Sequence, residues 1–512
     1  MRRIGIDVGG TNTDAVLIEE GKVIRAVKAP TSEDVTTGIL ESLKGLGSTG
    51  ALKDRKIDGV MIGTTHFINA VVQRRHLTKV GAIRLGMPAT ASLPPFCDWP
   101  DDLAALVRGG VWMVEGGHEY DGRPFMLLDE AAVLKAAEEM KAAGLKSVGI
   151  SAIFSPLDPS HEKRAAELVA KVLPDASITC SSDLGRIGLL ERENAGLLNA
   201  ALADLARDTI AAFEKAIRDS GIEAPLFITQ NDGTVAEASQ ARRLPVYSFA
   251  SGATNSMRGA AYLSGLSDAM VVDVGGTTTD VGQLKHGFPR EANSVVKVGG
   301  VRTLFRMPDL LSIGLGGGSH VQLDPLKVGP LSVGYRLLKE GIAFGGKQLT
   351  TTDIAVAAGV LDLGDKARVA HIDAATCKAV FAEAARMAEE AIDRMKTEAG
   401  DVPLIAVGGG AFLIPEKLAG VSQVIHVEHG DCANAVGAAI AQVSGECDQI
   451  FKDLTRVEAL STAQGIANDR AVAAGADRAT LKTIESEDMP LAYLPGNSVR
   501  VRVRVVGDVA AS

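Results

Sequence analysis

Ile4-Gly5-Ile6-Asp7-Val8-Gly9-Gly10-Thr11-Asn12-Thr13-Asp14 decides the fold, because the chain repeats it as Val271-Val272-Asp273-Val274-Gly275-Gly276-Thr277-Thr278-Thr279-Asp280. In each copy a short Val/Ile-rich run of strand length feeds an acidic residue and then a Gly-Gly-Thr-x-Thr-Asp turn. Adjacent glycines let backbone N–H groups approach a bound anion. Threonines add hydroxyl donors, and a strand-end aspartate can hold a cation. One such loop is weak evidence. Two that agree at Asp, Val, Gly, Gly, Thr, Thr and Asp predict a duplicated α/β fold gripping one polyphosphate from both sides.

Working outward from the first copy, strands are expected at 4–8, 14–18 and 22–28, with Glu20-Gly21-Lys22 as a hairpin turn. Lys285-His286-Gly287 matches that turn in the second copy. Between the copies the pattern predicts helices at 33–44 and from Thr64-Thr65-His66 to about 75, and strands at 56–63 and 80–85. Prolines 88, 94, 95 and 100 and several glycines break it over about 86–128, which reads as an insertion or a substrate-side excursion. Alternation returns with helices at 129–143 and 160–172 and strands at 147–154 and 176–180. One long helix at 188–218, a strand at 225–229 and a helix within 250–265 follow. After the second copy come the glycine-dense Gly314-Leu315-Gly316-Gly317-Gly318-Ser319, a capped helix after Thr350, a helix at 373–397, a strand at 403–407 and a small-residue helix at 432–444. The tail reads as a helix (454–474) and strands at 479–486 and 498–506. The expected domains are 1–185, 186–446 and a small α+β tail, 447–512.

Composition narrows the class. A chain of 512 residues exceeds one ordinary core, and 46% hydrophobic with 23% charged residues suits a soluble globular protein. Aromatics at 4% and a net charge of −10 argue against a nucleic-acid binder. Five scattered cysteines, none in a CxxC, fit a reducing cytoplasm. No long apolar run suggests a signal peptide or a membrane span.

Three glycine-centred loops follow strands: Gly9-Gly10, Gly275-Gly276 and Gly408-Gly409-Gly410. The first two are expected to hold phosphates and Mg²⁺, and the third to pack against a nucleoside. The Walker pattern GxxxxGK[ST] is absent, so a P-loop is not the reading.

These residues resemble the actin-like ATPase superfamily and, within it, the hydantoinase A-type subunit of the hydantoinase/oxoprolinase family. Gly63-Thr64-Thr65 with Asn69-Ala70, Phe154 to Glu162, Ser181-Ser182-Asp183 with Glu191-Arg192 and Asn199-Ala200, and Gly314 to Ser319 with Val328-Gly329-Pro330 all resemble that family's segments. The resemblance covers about 4–445. Asn12 stands where commoner members carry Phe, Gln73 where many carry Glu, and Ser251-Gly252-Ala253 loosens the family's SGPAGG. The resemblance implies a duplicated actin-like (ribonuclease H-like) ATPase fold with a nucleotide cleft between its halves. It also implies ATP and Mg²⁺, a cytoplasmic hydrolase of an amide or cyclic amide (hydantoin, 5-oxoproline or a lactam), and a second subunit, hydantoinase B-type or other, and/or a homo-oligomer. Asp7 and Asp273 would sit on the metal side. Gly9, Gly10, Thr11, Gly275, Gly276 and Thr277 would contact phosphate, with Gly316, Gly317, Gly408, Gly409 and Gly410 completing the nucleotide site. Thr13 and Thr279 would bond to nucleotide or within their loops. Asp14 and Asp280 would orient water or, preferably, brace the loops. A small-molecule kinase or carboxylase subunit on the same fold, and a nucleotide-driven activator, are the alternatives.

Other residues carry weaker signals. His66 reads as a general acid/base or as a packed capping residue. His161-Glu162 reads as structural, and His426-Val427-Glu428-His429 with Asp431 and Cys432 as a solvated loop rather than a metal site. His320 is a candidate near the substrate, and Asn231-Asp232 either lines the cleft or does not. Arg500, Arg502 and Arg504 read as the charged face of a half-buried strand, with an anion or partner site as the alternative.

Overall fold

Both glycine-turn stretches form hairpins in the computed structural model, which describes residues 1–9, 12–30, 35–48, 50, 52, 56–185, 187–292, 296–491 and 497–510. β1 (Arg2–Val8), β2 (Asn12–Glu19) and β3 (Lys22–Pro30) make an antiparallel meander, and β4 (Gly59–Thr64) lies parallel to β1. β1 is buried throughout, as a strand covered on both faces must be. Ile4, Ile6 and Leu17 pack with Ile39, Leu43 and Phe213, while Val16 and Ile18 meet Val436 and Ala439.

β5 (Val80–Met87), β6 (Arg108–Glu115), β7 (Ser147–Ala152) and β8 (Ser177–Cys180) form a separate parallel sheet, ordered β6-β5-β7-β8. The stretch 86–128 therefore contributes an edge strand and the Asp101–Val107 helix. Its residues are mostly half-buried, so no alternation announces the strand. The single helix expected at 188–218 is two, Leu189–Ala201 and Ala203–Asp219, broken at Leu202. β9 (Leu226–Thr229) returns to pair parallel with β4, and β10 (Thr234–Glu237) turns back against it.

β11 (Ala269–Val274), β12 (Thr279–Lys285) and β13 (Phe288–Pro289) repeat the meander. The registers coincide: Asp7 opposes Asp14, and Asp273 opposes Asp280. Small pieces follow: the hairpin β14 (Val296–Val298)–β15 (Val301–Thr303), β16 (Leu310–Ile313) on β12, and the hairpin β17 (Ser319–Leu323)–β18 (Leu326–Ser332). β19 (Val402–Val407) then lies parallel to β11, and β20 (Val421–His426) parallel to β19. Each half thus has three antiparallel strands followed by two parallel ones, the duplicated α/β plan expected of an actin-like ATPase.

The tail is not a separate body. β21 (Gln442–Phe451), β22 (Lys482–Pro490) and β23 (Val499–Gly507) extend the first sheet to nine strands, β22-β23-β21-β10-β9-β4-β1-β2-β3. The small-residue helix ends at Ala439 to make room for β21. Sheet membership therefore crosses the boundaries drawn at 185 and 446, because β9 pairs with β4 across the first, and β21 spans the second and pairs with β23. β23 is internal, so its arginines do not guard an edge. Arg500 donates to Asp448 at 2.7 and 2.6 Å, and Arg502 and Arg504 face Glu485.

A candidate nucleotide site between the glycine hairpins

The two hairpins face one cleft of 500 Å³. In each, a glycine N–H closes the turn onto a carbonyl three residues on: Gly9 to Asn12 at 3.1 Å, Gly275 to Thr278 at 2.9 Å. Gly9, Gly275, Gly276, Gly317 and Gly408 to Gly410 all line the cleft, so the glycine loops from separate strands converge as expected. The third loop needs its glycines. Gly408 has φ +88°, and Gly410 N–H donates to the Val274 carbonyl at 2.8 Å. Gly316 stands behind the lining and buttresses it. A Cβ there would fall 2.7 Å from Gly276 C and Thr277 N, while Gly317 N–H donates to the Gly275 carbonyl at 3.0 Å.

Asp7 is 5% exposed, and Asn434 Nδ2 donates to its Oδ2 at 2.8 Å. Its Oδ1 has no hydrogen-bond partner among the described residues. Burial, with Asp14 and Asp273 nearby, pushes the Asp7 carboxyl up to about 7, against the pull of Asn434. Burial likewise pushes Asp273 up to about 6, opposed by a hydrogen bond from Ser256. An orphaned buried carboxylate oxygen beside a second strained carboxylate suits a hard divalent cation such as Mg²⁺. Among the described residues no group of three or more His, Cys, Asp or Glu is arranged for a metal, so phosphate oxygens and water would complete the shell.

The second aspartates differ. Asp14 lines the cleft and pairs with Lys28 at 3.3 Å, and burial still raises its pKa. Asp280 accepts from the Ser312 hydroxyl and is also raised by burial. Thr13 and Thr279 are fully buried and absent from the lining. Thr279 donates to the Leu315 carbonyl at 2.7 Å, so its hydroxyl holds the loop. Thr277 is exposed at its loop tip, and Gly10 and Thr11 lie outside the described residues.

His66 starts the His66–Val72 helix, its N–H donating to Thr64 Oγ1 at 3.1 Å. Burial, with His76 nearby, lowers its pKa, and it does not line the cleft. The turn before it does abut the site, since a Cβ on Gly63 would fall 2.7 Å from Asp7 Oδ1. Asn231 is buried; its Oδ1 accepts from Ala250 N–H at 2.7 Å, and it lines a different cavity with Asp232. His320 bridges Thr350 through the backbone, away from the cleft lining.

Sequence reading missed Lys28, Ser256, Asn434 and the apolar lip of Tyr335, Leu338 and Leu363, all of which line the cleft. Lys28 alone had a signal: the hairpin register places it directly opposite Asp14.

The chain is similar to known proteins. The model of the hydantoinase/oxoprolinase N-terminal region matches residues 3–173, and the hydantoinase/oxoprolinase model matches 192–367. The alpha subunit of caprolactamase from Pseudomonas jessenii is 28% identical over 391 residues, 70% of this chain and 54% of that protein. The gamma subunit of acetophenone carboxylase from Aromatoleum aromaticum is 26% identical over 393 residues, 70% of this chain and 53% of that one. The chain thus spans about half the length of the curated relatives it matches. The crystal structure of ATP-dependent caprolactamase from Pseudomonas jessenii shares the fold, with TM-score 0.79 and 22% identity over 99% of this chain and 88% of that chain.

Proposed function

The chain belongs to the hydantoinase/oxoprolinase family, and from that premise we propose that it uses ATP to hydrolyse an amide or cyclic amide, as the nucleotide-binding part of a larger assembly. The observation that carries this reading is the pair Asp7 and Asp273, set at equivalent strand ends: Asp273 lines the glycine-rich cleft, and Asp7 is buried against it through the cleft residue Asn434.

An unactivated amide is a poor electrophile. Transfer of the γ-phosphoryl group to its carbonyl oxygen breaks the β–γ anhydride and releases ADP. Water then adds to the carbon, the C–N bond breaks with a proton passing to nitrogen, and phosphate leaves by hydrolysis. Such chemistry asks the protein chiefly to position groups and neutralise charge. Gly9, Gly275, Gly276 and the 408–410 loop provide close backbone approach to the nucleotide. Mg²⁺, held by Asp7 and Asp273 directly or through water, would neutralise phosphate charge. Asn434 fixes the Asp7 rotamer, and Lys28 compensates Asp14. Tyr335, Leu338 and Leu363 offer an apolar wall for a base.

A test is phosphate release from Mg-ATP with hydantoin, 5-oxoproline or lactams, with and without co-purified partner chains. Stimulation by at least one amide is expected, and Asp7→Asn or Asp273→Asn should lower it by about 100-fold or more. Absence of stimulation, together with silent variants, defeats the reading. The likeness to an acetophenone carboxylase subunit favours a second reading, an ATP-dependent carboxylase subunit, which bicarbonate-dependent turnover would select. Both relatives are subunits by name, so a partner chain is part of the proposal.

A further inference from the structure

A second cavity, of 330 Å³, lies away from the glycine loops. Its position follows from strand direction. β1, β4 and β9 are parallel neighbours, so their carboxyl ends share one edge. The nucleotide cleft lies at the end of β1, and the second cavity at the end of β9, where Gln230 and Asn231 line it. Two strand spacings, about 10 Å, separate those ends. The cavity's opposite wall comes from Pro156 and Ser182, which follow the carboxyl ends of the parallel strands β7 and β8. The carboxyl ends of the parallel strands of two sheets thus meet here, the place where open α/β sheets take ligands.

One helix joins the two spaces. Ser251–Ser264 starts where Asn231 Oδ1 accepts from Ala250 N–H, and its Thr254 hydroxyl donates to the Asn231 carbonyl at 2.9 Å. Half a turn further, Ser256 lines the nucleotide cleft.

The wall chemistry selects the ligand. The four carboxylates around the cavity and Arg306 are already paired, while exposed Arg470 donates to the Glu446 carbonyl at 2.7 Å and Asp183 meets Arg243 at 3.1 Å. Arg306 contacts Glu446 at 2.6 Å and Glu485 at 2.9 Å; Asp232 meets Arg504 at 3.2 Å, and Asp448 meets Arg500 at 2.6 Å. A ligand therefore need bring no charge, and a cation would find no free carboxylate there. Neutral groups are what remain. Ser182 Oγ is buried without a hydrogen-bond partner among the described residues. Tyr247 hydroxyl has only a long 3.5 Å approach to the Asp183 carbonyl, and burial keeps the phenol protonated as a donor. Gln230 and Gln449 add side-chain amides.

We propose that this cavity is the acceptor-substrate site and takes a neutral, amide-bearing small molecule next to the nucleotide. The inference rests on the amide-activating reading above and names the place and charge class of its substrate.

The probes are hydantoin, ε-caprolactam and 5-oxoproline, the last anionic through its carboxylate. Each is titrated into the full chain with Mg-ADP, and binding is read by ligand-observed saturation-transfer NMR. Hydantoin or caprolactam should bind, and Tyr247→Phe and Gln449→Leu should each weaken binding about fivefold or more. Tyr247→Phe keeps the ring that packs edge-on against Phe305, so its fold is preserved. In turnover the same variants should raise KM for the amide and leave KM for ATP in place. Equal binding by wild type and cavity variants overturns the site, as does absence of binding by every probe. Tighter binding of 5-oxoproline than of the neutral probes overturns the charge class. The two proposals fail separately: cavity-dependent binding without stimulated phosphate release defeats the catalytic reading, and stimulated release with unshifted amide KM in the variants defeats the cavity.

Discussion

Glu162 shows what a single buried side chain can do outside the cleft. Its carboxylate accepts from Ala152 N–H at 2.8 Å, Ser182 N–H at 2.8 Å and Ser181 Oγ at 2.6 Å, tying the ends of β7 and β8 together. Glu162→Ala should cost about 3 kcal/mol in urea unfolding, since two buried N–H donors lose a charged acceptor. Its neighbour His161 accepts from Gly117 N–H through Nδ1 at 2.9 Å, which requires that nitrogen unprotonated. Burial, then the His118 ring 4.3 Å away, lowers the His161 pKa, while Asp158 opposes. The unfolded chain therefore takes the proton more readily. The stability that neutral His161 contributes is fully present above the ordinary value of 6.5 and is lost as pH falls toward the folded value. The urea midpoint should drop between pH 7.5 and 5.5, and less so in His161→Gln. At this scale the sequence was legible where residue types repeat. Asp7 and Asp273 stood out because their loops match. Asn434 and Ser256 did not, because each meets its aspartate only through folding.

At the level of elements, the site's floor is a crossing of helices at near-backbone contact. A Cβ on Gly259 would overlap the Ala433 carbonyl, one on Gly437 the Asn255 carbonyl, and one on Gly5 the Ala435 carbonyl. The Ser251–Ser264 and Ala433–Ala439 helices therefore lie close against each other and against β1, which brings Ser256 and Asn434 beside the two aspartates. Gly437→Ala should cost about 3 kcal/mol by overpacking and weaken nucleotide binding, although it touches no nucleotide. A fluorescent ATP-analogue titration beside thermal unfolding separates the two effects. Helices and strands in regular alternation could be read from periodicity; the Glu130–Ala142 and Ala374–Met395 helices fall close to their expected ranges. β6 could not, because its half-buried residues carry no period, and neither could the break at Leu202.

Across the whole molecule, pairing between distant segments is what sequence patterns do not report. Arg306, in the second half, meets Glu446 and Glu485 of the tail strands and Glu291 at 3.0 Å. Burial alone would lower its pKa, but these carboxylates hold it higher. Arg306→Met leaves three carboxylates facing one another with fewer cations. It should cost about 3 kcal/mol in urea unfolding, partly restored by added salt. The same long-range pairing makes one sheet of β1, from the first residues, and β23, which ends at Gly507. A ribosome delivers β23 long after β1. Until residues 442–507 emerge, β10 offers a bare hydrogen-bonding margin, so the nascent half-sheet is a sticky intermediate that a holding chaperone would shield.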